Sequence, residues 1–248
     1  MNLFAIEHIE IFMLLLAVVA FLYAAVGHGG ASGYLALMAL WSFTAAVMKP
    51  TALVLNLFVA AVSFISYQRK GHFNAKLFWS FAVASVPAAF AGGLIMIDAS
   101  IYKKILAVLL VFAILKMLGV FGTERSKIKD VPFWQGMVAG ASIGLFSGMI
   151  GIGGGIILSP LILVLGWGKM KEAAAVSAAF IWVNSAAGLI GHLSRGVVVE
   201  PQAFVLVAVA VIGGLVGGYF GSIKLNNLTL KRVLAFVLII ACAKLFLT

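Results

Sequence analysis

Ten apolar stretches dominate this chain, at 9–27, 30–46, 50–68, 76–97, 103–121, 134–150, 154–167, 173–193, 202–222 and 230–247, and nearly every charge falls between them or near their ends. A hydrocarbon core about 30 Å thick takes roughly 20 helical residues to cross. Inside it every backbone N–H and C=O has to be paired within the protein. Most of the stretches are long enough to cross, whereas 30–46 and 154–167 are short. The chain is therefore expected to be an all-α polytopic membrane protein with eight to ten membrane segments. Its 64% apolar content and mean hydropathy of +1.20 exceed the roughly one-half apolar share of soluble domains.

Both short stretches follow a glycine-rich break. One break reads Gly27-His28-Gly29-Gly30-Ala31-Ser32-Gly33, the other Gly151-Ile152-Gly153-Gly154-Gly155-Ile156, running on to Ser159-Pro160. Glycine permits turns that a side chain forbids. Within a membrane such a turn persists only where protein or a water-filled cavity surrounds it. Segments 30–46 and 154–167 are therefore candidates for half-helices that enter and return.

The breaks belong to an internal repeat. Gly27 recurs as Gly151 and Gly30 as Gly154, 124 residues on; Asn56 recurs as Asn184, Lys103-Lys104 as Lys231-Arg232 and Lys116 as Lys244, 128 residues on. Coincident landmarks at a nearly fixed offset mark a repeat. The polar connector at 122–133 divides the halves, 1–121 and 134–248. If the first two segments of each half return to their starting side, three further spans make each half cross an odd number of times. The halves are then expected to be inverted in the membrane.

Charge orients them. The loops at 69–76, 122–133, 167–172 and 223–232 carry eleven lysines and arginines, against five (Lys49, Lys103, Lys104, Arg195 and Lys244) on the opposite side. The richer side is expected to be cytoplasmic, with both termini outside, in a bacterial inner membrane. The N-terminus has Glu7 and Glu10 and no basic residue before its apolar run, the wrong flank for a cleaved signal peptide. The single cysteine, Cys242, excludes an intrachain disulfide. The net charge of +10 comes with no basic stripe, so nucleic acid is not an expected partner.

Function follows from what lies inside the apolar runs. All seven acidic residues sit at segment ends or in loops, whereas cation transporters and proton pumps usually keep a carboxylate near the midplane. Two helix N-termini, near Ala31 and Ile156, would instead point unpaired N–H groups at an anion. The expected substrate site accordingly comprises Gly27, His28, Gly29, Gly30, Ala31 and Ser32 from the first break. Gly151, Gly153, Gly154, Gly155 and Ile156 come from the second. Asn56 and Asn184 join them as amides inside apolar segments that either line the cavity or bond helix to helix, and His192 as a group that either adds charge to the site or lies at the interface. Ser63, Thr51, Ser159 and Ser177 are weaker candidates, because a hydroxyl in a membrane helix commonly bonds its own i−4 carbonyl.

Two other readings are set aside. The glycine pattern is no dinucleotide fingerprint, since no strand precedes it. Gly140-Ala141-Ser142-Ile143-Gly144 has the spacing of a serine-hydrolase elbow, with His192 as a base. That elbow needs a strand-to-helix turn, and Ser142 lies mid-run in the glycine ladder Gly136, Gly140, Gly144 and Gly148. This ladder and Gly213, Gly217 and Gly221 suit close helix packing. No enzymatic activity, metal or cofactor is expected.

At these residues the chain resembles the TauE/SafE family of sulfite and organosulfonate exporters, through the repeated glycine motif and the two-half layout. The first copy departs from the motif at His28, Ala31 and Ala36, which stand where the second copy has Ile152, Gly155 and Pro160. The resemblance implies secondary transport of small sulfur-containing anions across the lipid bilayer. Residue chemistry alone reaches only a small anion, with a channel or a carboxylate carrier as alternatives. Neither source fixes the coupling ion, the direction or any homo-oligomeric state.

Overall fold

The structure, a computed structural model, describes residues 8–120, 128–223 and 239. The described residues form nine α-helices and no strand: α1 (Ile9–Ala25), α2 (Ala31–Leu40), α3 (Ala45–Gln68), α4 (Ala75–Leu94), α5 (Ala99–Met117), α6 (Phe133–Ile150), α7 (Gly155–Leu165), α8 (Met170–Ser194) and α9 (Ala203–Ile223). Five of them, α3, α4, α6, α8 and α9, are long and apolar enough to cross a membrane. The expected tenth segment, with Cys242, lies outside the described residues apart from Ile239, as do residue 121 and 122–127 of the connector.

The two short stretches each form a short helix. With 10 and 11 residues, α2 and α7 are about 15 Å long at 1.5 Å per residue, half a hydrocarbon core. Each folds back along its predecessor. Phe12 of α1 stacks on Phe43 and meets Trp41 edge-on, each at 5.4 Å, so the end of α2 returns to the start of α1. Likewise Lys129, just before α6, donates its N–H to the Gly166 carbonyl at the end of α7 at 2.8 Å.

Glycine ladders set the principal helix contacts. Along α6, Gly136, Gly140, Gly144 and Gly148 face backbone carbonyls of Ser80, Phe81, Ser85 and Ala89 on α4, which runs parallel to it. Along α9, Gly213 and Gly217 face the carbonyls of Ala17 and Phe21 on α1, again in parallel. Each terminal hairpin of one half thus packs on a helix of the other. Between them α3 and α8 run antiparallel, with Asn56 opposite Ser185 and Leu53 opposite Gly188. Apolar surface alone does not drive association in lipid, so such close backbone approach supplies much of the packing.

A prediction follows for the ladder. A Cβ at Gly144 would overlap the Ser85 carbonyl, and backbone cannot swing away as a side-chain tip can. Gly144→Ala is expected to cost about 3 kcal/mol, the upper end for overpacking, read as a lower melting temperature in detergent. An unchanged melting temperature would show that α4 and α6 are not in this contact.

The helix ends fall into two groups. The start of α3, the α4–α5 turn and the end of α8 surround one cavity. The start of α4, residues 128–131 and the α7–α8 turn surround another.

Candidate functional site

The two breaks are built to one plan. In each, a glycine with positive φ ends the incoming helix: Gly27 at +76° after α1 and Gly151 at +88° after α6. The next residue's N–H reaches back five positions, from His28 to the Tyr23 carbonyl at 2.9 Å and from Ile152 to the Ser147 carbonyl at 3.3 Å. This is the left-handed helix stop that favours glycine. A further glycine with positive φ, Gly30 at +99° or Gly154 at +79°, then starts the return helix, and no side chain caps either start. Those first turns depart from the usual side-chain capping of exposed N–H groups.

The turns meet midway along α3 and α8. A Cβ at Gly29 would come within 2.8 Å of both Asn56 Oδ1 and Ile181 Cγ2; one at Gly153 would come within 2.7 Å of Asn56 Nδ2 and 2.8 Å of the same Ile181 atom. Both breaks therefore close on one asparagine and one isoleucine, from opposite sides. Asn56 Nδ2 donates to the Ile152 carbonyl and to Ser185 Oγ, both at 3.3 Å, just beyond the usual range for an N–H···O bond. Its Oδ1 is buried without a partner.

His28 and the hydroxyls tie the turns together. Its Nδ1 donates to the Val26 carbonyl at 3.0 Å, and its Nε2 lies 3.1 Å from Ser159 Oγ of α7, which in turn bonds Ser177 Oγ of α8 at 2.8 Å. The His28 carbonyl accepts from Ser63 Oγ of α3. Ser32 pairs with Tyr23 in the α1–α2 hairpin. Gly27, Gly29, Gly30, Ala31, Gly151, Gly154, Gly155 and Ile156 are all buried, so neither bend is open to lipid.

Two expected residues lie elsewhere. Asn184, the repeat partner of Asn56, donates to Ser85 Oγ of α4 at 3.1 Å and to the Phe180 carbonyl of its own helix at 2.8 Å. It joins α8 to α4, and its Oδ1, like that of Asn56, is buried without a partner. His192 bonds the Gly148 carbonyl at 3.0 Å and lines the cavity at the α8 end. Ser142 sits within continuous α6 and donates to its own i−4 carbonyl, Val138, at 3.0 Å, so the elbow geometry is absent there.

Two residues emerge that sequence reasoning did not single out. Tyr34 Oη and Ser147 Oγ are buried without partners. Tyr34 lies one turn into α2, its ring and hydroxyl against Gly30, and Ser147 lies one turn before Gly151, its Cβ 3.5 Å from a Cβ placed on Gly154. Each break thus has an unsatisfied hydroxyl beside its reversing glycine. Their sequence signal is only that spacing of about one helical turn.

Comparison with known proteins identifies the family. The family model for the sulfite exporter TauE/SafE matches residues 12–245. The probable membrane transporter protein y4hK of Sinorhizobium fredii is 35% identical over 233 residues, covering 92% of this chain and 94% of that protein. Shorter matches are to the probable membrane transporter protein MJ0441 of Methanocaldococcus jannaschii, 28% identical over 45% of this chain and 42% of that protein, and to YunE of Bacillus subtilis, 32% identical over 40% and 36%. No solved structure matches. An integral membrane helix bundle with paired glycine breaks, matched almost end to end by this model, makes the chain a member of the TauE/SafE family of membrane transporters.

Proposed function

We propose that the protein is an alternating-access carrier of small sulfur-containing oxyanions, sulfite or organosulfonates, with its substrate held where the two glycine breaks meet. The observation that carries this reading is that Gly29 and Gly153 close on the same pair, Asn56 and Ile181. Around that point stand uncapped helix starts, an amide making long hydrogen bonds, a histidine and unsatisfied hydroxyls. Helix N-termini and amides suit an anion without a fixed countercharge. Sulfur enters through the family's description.

The membrane frame belongs to the same proposal. Residues 1–121 and 134–248 form inverted halves joined by a cytoplasmic connector, with both termini outside in a cytoplasmic membrane. Its support is the pair of returning hairpins, the exchange of hairpins between halves and the antiparallel α3–α8 pair. The carrier reading is favoured over a channel because the breaks are packed together, and break residues line neither the cavity at the α8 end nor the one at the α7–α8 turn. A substrate crosses such a closed centre only if the halves rock.

Proteoliposomes decide this. Labelled sulfite or sulfoacetate uptake is expected to saturate with concentration and to accelerate when vesicles are preloaded with unlabelled substrate. Non-saturating flux without counterflow would mean a channel, and no flux of any sulfonate, sulfite or carboxylate would remove the transport reading of the breaks.

A further inference from the structure

Away from the breaks, basic side chains gather at the cavity of about 260 Å³ between the start of α3, the α4–α5 turn and the end of α8. Lys49, His192 and Arg195 line it, and no acidic residue does. Lys49 is only 9% exposed. Its Nζ has no hydrogen-bond or ion-pair partner among the described residues and lies 4.4 Å over the Tyr102 ring. Burying an ammonium with no counter-anion is costly, and an aromatic face offsets only part of that cost. The opposite cavity, at the α7–α8 turn, is different: Lys76 pairs with Asp130 at 2.9 Å, and Glu172 accepts from the Lys169 N–H.

We propose that the Lys49–His192–Arg195 cavity is a second, peripheral binding site for a small oxyanion, where substrate docks before or after it occupies the breaks. Arg195 is anchored by its Nη1, which donates to the Gly93 and Ile95 carbonyls at 3.2 and 3.1 Å, leaving the rest of the guanidinium for a ligand. His192 Nε2 is held on the Gly148 carbonyl. Asp98, beside the lining residue Ile97, is engaged with the Ser100 N–H at 2.8 Å. The volume accommodates a sulfonate or sulfite with several waters, each needing about 30 Å³.

The position links this site to the breaks. Backbone atoms of Lys49 lie 3.1 and 3.2 Å from where a Cβ of Gly151 would stand, and His192 bonds α6 one turn before that glycine. An anion that draws Lys49 and His192 inward thus acts on the end of α6. The inference deepens the carrier reading and rests on it for the identity of the anion, while the cavity itself does not depend on the breaks.

The test is equilibrium binding of sulfite and of sulfoacetate to the full chain in detergent at low ionic strength, against sodium chloride at matched ionic strength. Lys49→Gln and Arg195→Gln are each expected to weaken binding at least about tenfold, as for loss of a charge-assisted bond in a secluded site. Lys49→Arg, which keeps the charge, is expected to stay within about threefold, separating charge from folding. Gly153→Leu is expected to retain this binding even where it loses flux. Unchanged affinity in folded Lys49→Gln and Arg195→Gln, or equal displacement by chloride, would overturn the proposal. Normal flux in Gly153→Leu with binding lost in Lys49→Gln would instead remove the central site and leave this one standing.

Discussion

Gly153→Leu is expected to cut anion flux in proteoliposomes by at least about a hundredfold while the protein still inserts and purifies as a monodisperse species. Two costs fall on one position. The backbone φ of +77° is one that L side chains rarely adopt, at about 1–2 kcal/mol. The side chain would also enter the space where Asn56 Nδ2, Ile181 Cγ2 and Ser185 Oγ already lie within 3.0 Å of its Cβ. Overpacking adds about 1–3 kcal/mol, and a hundredfold change corresponds to about 2.8 kcal/mol. Gly71→Leu is the matched control: its φ of +74° imposes the same backbone strain, but no atom lies within 4 Å of its Cβ. It is expected to leave flux within about twofold. Gly29→Ala isolates sterics from strain, because Gly29 has no positive φ and its methyl would meet side-chain atoms of Asn56, Ile181 and Ala60. An intermediate loss of flux is expected there. Wild-type flux in both Gly29→Ala and Gly153→Leu would show that anions cross elsewhere.

The turns themselves were legible because glycine at Gly27, Gly30, Gly151 and Gly154 answers a local demand, positive φ, that any L side chain would meet at a cost. Apolar length likewise marked α2 and α7 as short. Other features depend on tertiary placement. Asn56 and Asn184 look equivalent in the repeat, yet the amide of Asn56 bonds the second break and that of Asn184 bonds Ser85 of α4. Tyr34 and Ser147 carry no signal until their partners prove absent. Lys49 reads as a loop charge because, in the sequence, Pro50 begins the apolar stretch 50–68. In the fold, α3 starts at Ala45 and carries Pro50 within it, since neighbouring protein can satisfy the one carbonyl a proline frees. That shift of five residues turns a topological marker into a buried ammonium beside the second break.

The contrast between the two asparagines is the sharper test of which helix face holds substrate. Asn56→Ala removes donors to the Ile152 carbonyl and Ser185 and opens space between Gly29 and Gly153. Asn184→Ala removes donors to Ser85 and to the Phe180 carbonyl at the α4–α8 contact. Side-chain hydrogen bonds across membrane helices are worth about 0.6 kcal/mol on average, so both variants are expected to lose comparable, modest thermal stability. Their transport should diverge. Asn56→Ala is expected to raise the half-saturating substrate concentration about tenfold or more, the effect of losing a hydrogen bond to a charged group, whereas Asn184→Ala is expected to stay within about twofold. A purely structural role for Asn56 would lower the amount of active protein without moving that concentration. Equal shifts in both variants would place the anion along the α4–α8 contact, and would separate substrate binding from the meeting point of the breaks.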